Sequence, residues 1–103
     1  MSGRLKKLLE FHAADPKDPF CAYGIALEHA KAKRMEEAID WLERTIEIDA
    51  RYSYAYYQMA KLLAEKGDTA AARDVLRTGM AAAQASGDQH ARSEMEGLLE
   101  SLG

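Results

Sequence analysis

Proline, cysteine, asparagine and long apolar runs are scarce or missing from this chain of 103 residues, and each scarcity excludes something. Only two prolines occur and β-branched runs are almost absent, which points to an all-α protein. The single cysteine, Cys21, has no intramolecular disulfide partner, which fits a reducing cytosol, so a cytoplasmic location is expected. No apolar run approaches the roughly 20 residues that a membrane-spanning helix needs, and no membrane partner is expected. The opening stretch, MSGRLKKLLEFHAADP, is basic but lacks a continuous apolar segment, and Glu10 and Asp15 follow at once; it does not read as a signal peptide. A net charge of −3 argues against a nucleic-acid partner, which would call for a basic face. His12, His29 and His90 lie in three different segments, with no Cys or carboxylate at metal-ligand spacing, so they read as structural or surface residues. There is no Gly-rich phosphate loop, no Ser/His/Asp grouping and no nucleophile elbow. No catalytic residue, metal or cofactor is expected.

What the chain does have is helical periodicity. A hydrophobic share of 48% beside 30% charged residues is that of a globular chain, long enough for one small domain with a modest core. The stretch from Met35 to Asp49 organises the rest. Ala38, Ile39, Leu42, Thr45 and Ile46 form one broad apolar stripe, widened by Trp41 and Ile48, and Glu36, Asp40, Glu43 and Glu47 form the opposite, solvated stripe. Asp15-Pro16 ends a short helix from about Gly3 that carries Leu5, Leu8, Leu9 and His12. Asp18-Pro19 starts the next, since Asp caps well and Pro at the first helical position sacrifices no needed hydrogen bond. Gly24 inside that helix costs roughly 1 kcal/mol relative to alanine. A helix from about Ser53 to Lys66 is apolar almost all round, except for a narrow strip of Gln58, Lys61 and Glu65. Gly67-Asp68 and Gly87-Asp88 repeat one stop–start signal and bound an alanine-rich helix, Thr69 to Ser86, with a last helix from Gln89 to Leu102.

The pattern recurs. Ala72 stands 34 residues after Ala38 and opens a matching run through Leu76 and Gly79. A period of 34 with two helices per unit marks a helical repeat architecture. The pairs Ala22/Tyr56, Ile25/Met59, Ala26/Ala60, His29/Leu63, Ala38/Ala72, Leu42/Leu76 and Thr45/Gly79 resemble the tetratricopeptide repeat family. The alanines let two helix axes approach and the large residues fill the gaps between repeats. The resemblance implies a right-handed α-α solenoid of antiparallel helix pairs. Within a single domain, 1–103, a half-repeat helix (about 3–15) would precede repeats at about 18–50 and 52–86 and a capping helix at about 89–102. Four positions depart from the family pattern. His29 stands where an aromatic is usual, Lys33-Arg34 replaces a Gly-Asp turn, and Ala50 replaces an end-of-repeat proline. A strict period would also bury Ser93 and Glu94; Met95 and Leu98 fit better if the preceding helix is longer by a residue or more.

Such repeats imply a concave groove lined by the first helix of each unit, where a peptide or helix of a partner docks. Here the strip of the Ser53–Lys66 helix offers Gln58 and Lys61 flanked by Tyr54 and Tyr57, and the helix before it offers Phe20, Tyr23 and Leu27. Exposed aromatics rimmed by charge make a binding patch. The bland alternative is that these rings merely pack on one another or on flanking helices. The family's grip on a terminal carboxylate uses lysine and asparagine, but this chain has no asparagine and carries Tyr23 and Leu27 at the corresponding places. Lys61 remains as an isolated carboxylate contact. The expected function is binding of an unidentified protein or peptide. The rival is a structural role in which the helical surface forms a weak homo-oligomer.

Overall fold

The computed structural model describes residues 2–103. Among them are six α-helices and no strand: α1 (Gly3–Ala14), α2 (Pro19–Lys31), α3 (Met35–Ile48), α4 (Ser53–Glu65), α5 (Thr69–Ser86) and α6 (Gln89–Ser101). They fall into two compact units, one ending at Asp49 and the other running Ala50–Gly103.

In the first unit the Ser2 hydroxyl accepts the Leu5 amide at 3.0 Å to open α1, and the Asp15 amide closes it on the Phe11 carbonyl at 2.9 Å. Asp18 accepts the Phe20 amide at 2.9 Å and Pro19 takes the first helical position of α2. Helices α2 and α3 pack through small residues: Ala22, Ala26 and Ala38 are fully buried. Along α3, Ala38, Ile39, Leu42 and Thr45 are buried while Glu36, Asp40, Glu43 and Glu47 face solvent, as the two stripes require. The Thr45 hydroxyl is spent within the helix, donating to the Trp41 carbonyl at 2.8 Å. Leu5, Leu8 and Ile25 form the core shared by α1 and α2, with Leu9 and Trp41 against it.

Four details of this unit go beyond the sequence pattern. Gly24 does more than cost helix propensity: a Cβ there would stand 3.2 Å from both methyls of Leu8, so the glycine lets α1 lie close on α2. Lys33 adopts φ 65°, the left-handed conformation that Gly67 supplies in the second unit at φ 88°. A side chain there costs about 1–2 kcal/mol. Arg34 gives α3 no side-chain cap; its Nε donates instead to His29 Nδ1 at 2.9 Å. The fourth detail is Glu28, buried although charged. It accepts from the Ser2 hydroxyl at 3.2 Å and pairs with Arg4 and Lys31, both at 3.4 Å, tying the start of α1 to the end of α2. Thirty-four residues later the corresponding residue is the buried Leu62. A carboxylate replaces it because a helix N-terminus and two cations surround the site.

In the second unit α4 and α5 form the pair and α6 packs on both. The connection into α4 is pinned by side chains: the Tyr56 hydroxyl donates to the Ala50 carbonyl at 2.8 Å, Arg51 donates to the Ala85 carbonyl, and the Ser53 and Ser86 hydroxyls meet at 3.4 Å. Asp68 and Asp88 accept from the amides of Ala71 and Ala91 at 3.2 and 3.0 Å, and Gly87 at φ 75° ends α5. Helix α5 has 18 residues against 14 in α3, so α6 starts two residues later than a strict period allows. That extension leaves Ser93 exposed and puts Ala91 and Met95, fully buried, into the core. Arg73 on α5 holds the far end of α6 by donating to the Leu102 and Gly103 carbonyls at 3.0 and 2.9 Å.

The tightest point of this unit is Gly79, where a Cβ would come within 2.5 Å of Tyr56 Cβ and 2.7 Å of Met95 Sδ. Gly97, on α6, has nothing within 4 Å of such an atom. Two alanine substitutions should therefore act in opposite senses. Gly79→Ala is expected to lower stability by about 1–3 kcal/mol through overpacking. Gly97→Ala is expected to raise it by roughly 0.5–1 kcal/mol through helix propensity. Urea midpoints measure both; equal midpoints for the two variants would place the close contact elsewhere.

Candidate functional site

The residues singled out in the sequence sit on two helices, one in each unit. On α2, Phe20, Tyr23 and Leu27 are spaced to share a helix face, with Phe20 62% exposed and Tyr23 and Leu27 half-buried. On α4, Tyr54, Tyr57 and Gln58 are half-buried and Lys61 is exposed. The expectation of freely exposed rings is thus corrected: Phe20 alone is open, because the tyrosines lean on neighbours. Tyr54 and Tyr57 meet edge to face, with centroids 6.2 Å apart and planes at 89°. The Lys61 ammonium lies 5.4 Å from the Tyr57 ring centroid, a cation–π placement.

Mutual packing does not consume the polar groups of Tyr57, Gln58 and Lys61. Among the described residues, Tyr57 makes ring contacts only, the Gln58 amide makes no hydrogen bond, and Lys61 joins no ion pair. One helical step away, Tyr56 contrasts with Tyr57: it is buried and its hydroxyl is bonded to Ala50. Helix α4 thus has a face engaged in the fold and a face carrying unspent donors and acceptors.

One residue of this surface escapes a strict 34-residue reading. His90 on α6 is exposed, its Nε2 lies 2.7 Å from Glu94 Oε1, and its ring centroid is 6.3 Å from that of Tyr54. Counting from helix starts finds it, because His90 follows Gln89 as Tyr54 follows Ser53 and Phe20 follows Pro19. Cys21 is buried and its thiol is 3.5 Å from Asp18 Oδ2; burial first, then that carboxylate, push its pKa up and keep it an unreactive thiol. His12 lies edge-on to Trp41 at 4.9 Å, and the Arg44 guanidinium covers the same indole at 4.3 Å. No group of three or more His, Cys, Asp or Glu among the described residues is placed to hold a metal ion. No described helix is long and apolar enough to cross a membrane.

A family model described as tetratricopeptide repeat matches residues 29–93. The chain belongs to the tetratricopeptide repeat family. This tetratricopeptide repeat chain is 32% identical over 80 residues to the TPR repeat-containing protein PA0015 of Pseudomonas aeruginosa, covering 78% of this chain and 76% of the relative. Among solved structures it resembles a tetratricopeptide repeat domain protein from Salinibacter ruber at 32% identity and TM-score 0.79, with 85% of this chain and 89% of that one covered. It also resembles protein BPP2914 of Bordetella parapertussis at 27% identity and TM-score 0.83, covering 99% and 89% of the two chains. Tetratricopeptide repeats generally mediate protein–protein interaction, and the fold is the all-α helical repeat that the 34-residue pattern implied.

His29, half-buried where the second unit has Leu63, gives this repeat a pH response. Burial and the neighbouring Arg34 hold its pKa below the ordinary 6.5, with Glu37 opposing weakly. Its Nδ1 must be unprotonated to accept from Arg34. The unfolded chain therefore takes up this proton more readily than the folded one. The stability His29 contributes is complete above pH 6.5 and declines as pH falls through the lowered folded value. A His29→Leu variant should lose that part of the slope in denaturation midpoints measured on either side of pH 6.5; an unchanged slope would assign the titration to other groups.

Proposed function

We propose that this tetratricopeptide repeat protein binds a peptide or helix of a partner protein on the outward faces of its first helices. Phe20, Tyr23 and Leu27 serve on α2, and Tyr54, Tyr57, Gln58 and Lys61 on α4. In this reading 18–50 and 52–86 are the two full repeats, the helix at 3–15 is a half-repeat and the helix at 89–102 is a cap. One observation carries the proposal: α4 holds a contiguous ring pair, Tyr54 and Tyr57, beside which the Tyr57 hydroxyl, the Gln58 amide and the Lys61 charge find no hydrogen-bond or ion-pair partner among the described residues. Tyrosine suits this role, since a rigid ring supplies contact area and its hydroxyl reaches a peptide backbone. With so few repeats the interface is small, and an affinity of about 1 μM, roughly −8 kcal/mol, is its natural scale. The reading assigns the chain no catalytic residue.

The second reading, weak self-association, draws on Phe11 and Phe20, which are 58% and 62% exposed in the first unit. Sedimentation across a concentration series separates the two: a monomer throughout favours partner binding, and a concentration-dependent mass favours the homo-oligomer.

Adjacent tyrosines test the docking face. Tyr57→Ala is expected to weaken a captured partner by about 1–3 kcal/mol, the usual range for truncating an interface anchor, with a smaller effect on folding. Tyr56→Ala is expected to cost on the order of 3–5 kcal/mol of stability, as for other buried aromatics. Thermal melts and partner titrations of both variants measure this. Unfolding by Tyr57→Ala with an intact Tyr56→Ala protein would put the docking face on the wrong side of α4.

A further inference from the structure

We infer that the first unit holds a separate small-molecule site, between the ends of α1 and α3, that takes a free α-amino acid with an aliphatic side chain. None of its residues belongs to the docking surface proposed above, so it stands or falls independently of that surface. A cavity of about 190 Å³ opens there, lined by His12, Pro16, Arg44, Glu47 and Ile48. That volume is below the roughly 300–1,000 Å³ of pockets that enclose drug-sized molecules, so the occupant is small. His12 Nδ1, at the wall, is buried and has no hydrogen-bond partner among the described residues. Buried polar atoms are ordinarily bonded, and this one calls for a partner that the chain itself does not supply.

The charges beside it are held apart. Asp74 and Arg77, three residues apart on α5, pair at 3.5 Å. Arg44 and Glu47 have the same spacing on α3, yet neither joins an ion pair among the described residues. The Arg44 guanidinium lies instead over the Trp41 indole, 4.3 Å from its centroid. His12 meets the same indole edge to face at 4.9 Å, and Trp41 itself packs against Leu5, Leu8 and Ile25. One core-anchored ring thus positions both the cation and the imidazole. An unpaired cation, an unpaired carboxylate and an orphaned nitrogen beside two apolar residues match the groups on the α-carbon of a free amino acid. Its carboxylate takes the planar fork of Arg44. Its ammonium donates to Glu47 and to His12 Nδ1, and its side chain lies on Pro16 and Ile48. A simple anion would face the charge of Glu47, and a simple amine that of Arg44. An internal peptide segment does not carry both charges on one carbon.

The test titrates the full 15N-labelled chain with L-leucine and with two analogues: 4-methylpentanoate, which lacks the ammonium, and 3-methylbutylamine, which lacks the carboxylate. Leucine is expected to bind with a Kd on the order of 1 mM, shifting the amides around His12 and Arg44 and the His12 Nδ1 resonance. Each analogue is expected to bind about tenfold more weakly or worse, the loss of one charge-assisted contact. Arg44→Gln and Glu47→Gln, with folds checked by thermal melting, are expected to weaken leucine by a similar factor. His12→Phe keeps a ring against Trp41 and removes the nitrogen; it is expected to weaken leucine about threefold. Equal binding of either analogue would overturn the amino-acid occupant. Undiminished binding by both charge variants, or shifts confined to residues outside α1 and α3, would overturn the site. Absence of shifts with all three compounds would overturn the inference and leave the α4 docking face standing.

Discussion

Close approach of paired helices is the constraint on which each unit depends. An axis separation small enough to exclude water requires residues with almost no side chain at the crossing. Ala22, Ala26 and Ala38 fill that need in the first unit, and Ala60, Ala72 and Gly79 in the second, all buried. Gly79 is the extreme case, since Tyr56 and Met95 occupy the space its side chain would need. One glycine on α5 thereby fixes the positions of a large residue on α4 and another on α6. The alanines contribute little apolar area themselves. Their effect is to let Ile25, Leu42 and Leu76 bury completely, each worth roughly 1.5–3 kcal/mol.

Burying one side of each first helix leaves the other side only partly covered, and the proposed docking surface lies there. On α4 consecutive tyrosines divide the labour. Tyr56 faces Gly79 and bonds the chain entering the helix, while Tyr57 is half-buried, packs edgewise on Tyr54 beneath the Lys61 ammonium and keeps its hydroxyl unpaired among the described residues. Mutual ring packing does not argue against docking, because rings held in fixed orientations present a surface that loses little entropy when a partner arrives. The family relation supplies the general role, protein–protein interaction; the particular surface is a proposal drawn from the chemistry of α4.

Much of the fold was legible because it follows local rules. Asp18-Pro19, Gly67-Asp68 and Gly87-Asp88 announce helix boundaries through capping chemistry that does not depend on distant residues, and the helices begin where those signals stand. The two stripes of α3 were equally plain, since burial at helical spacing has no competing interpretation. What escaped depends on contacts between segments far apart in sequence. Gly24 reads as a propensity cost until Leu8 is placed against it. Glu28 reads as surface charge until Ser2 and Arg4 arrive from α1. His90 lies outside the repeat register because α5 is longer than α3, so a strict period misses a ring that sits beside Tyr54. On the candidate surface the degree of exposure was overestimated for every aromatic except Phe20, because ring packing between neighbours is not visible in helical spacing alone.

The division of α4 into an engaged face and an available one is the claim on which the rest stands, and it needs no partner to test. Mild nitration of the native protein, followed by peptide mass mapping, reports which tyrosine rings reagent can reach. Tyr57 should be modified well before Tyr56, a residue 6% exposed whose hydroxyl is bonded to Ala50. Modification of Tyr56 at the rate of Tyr57, or ahead of it, would contradict the assignment of both faces.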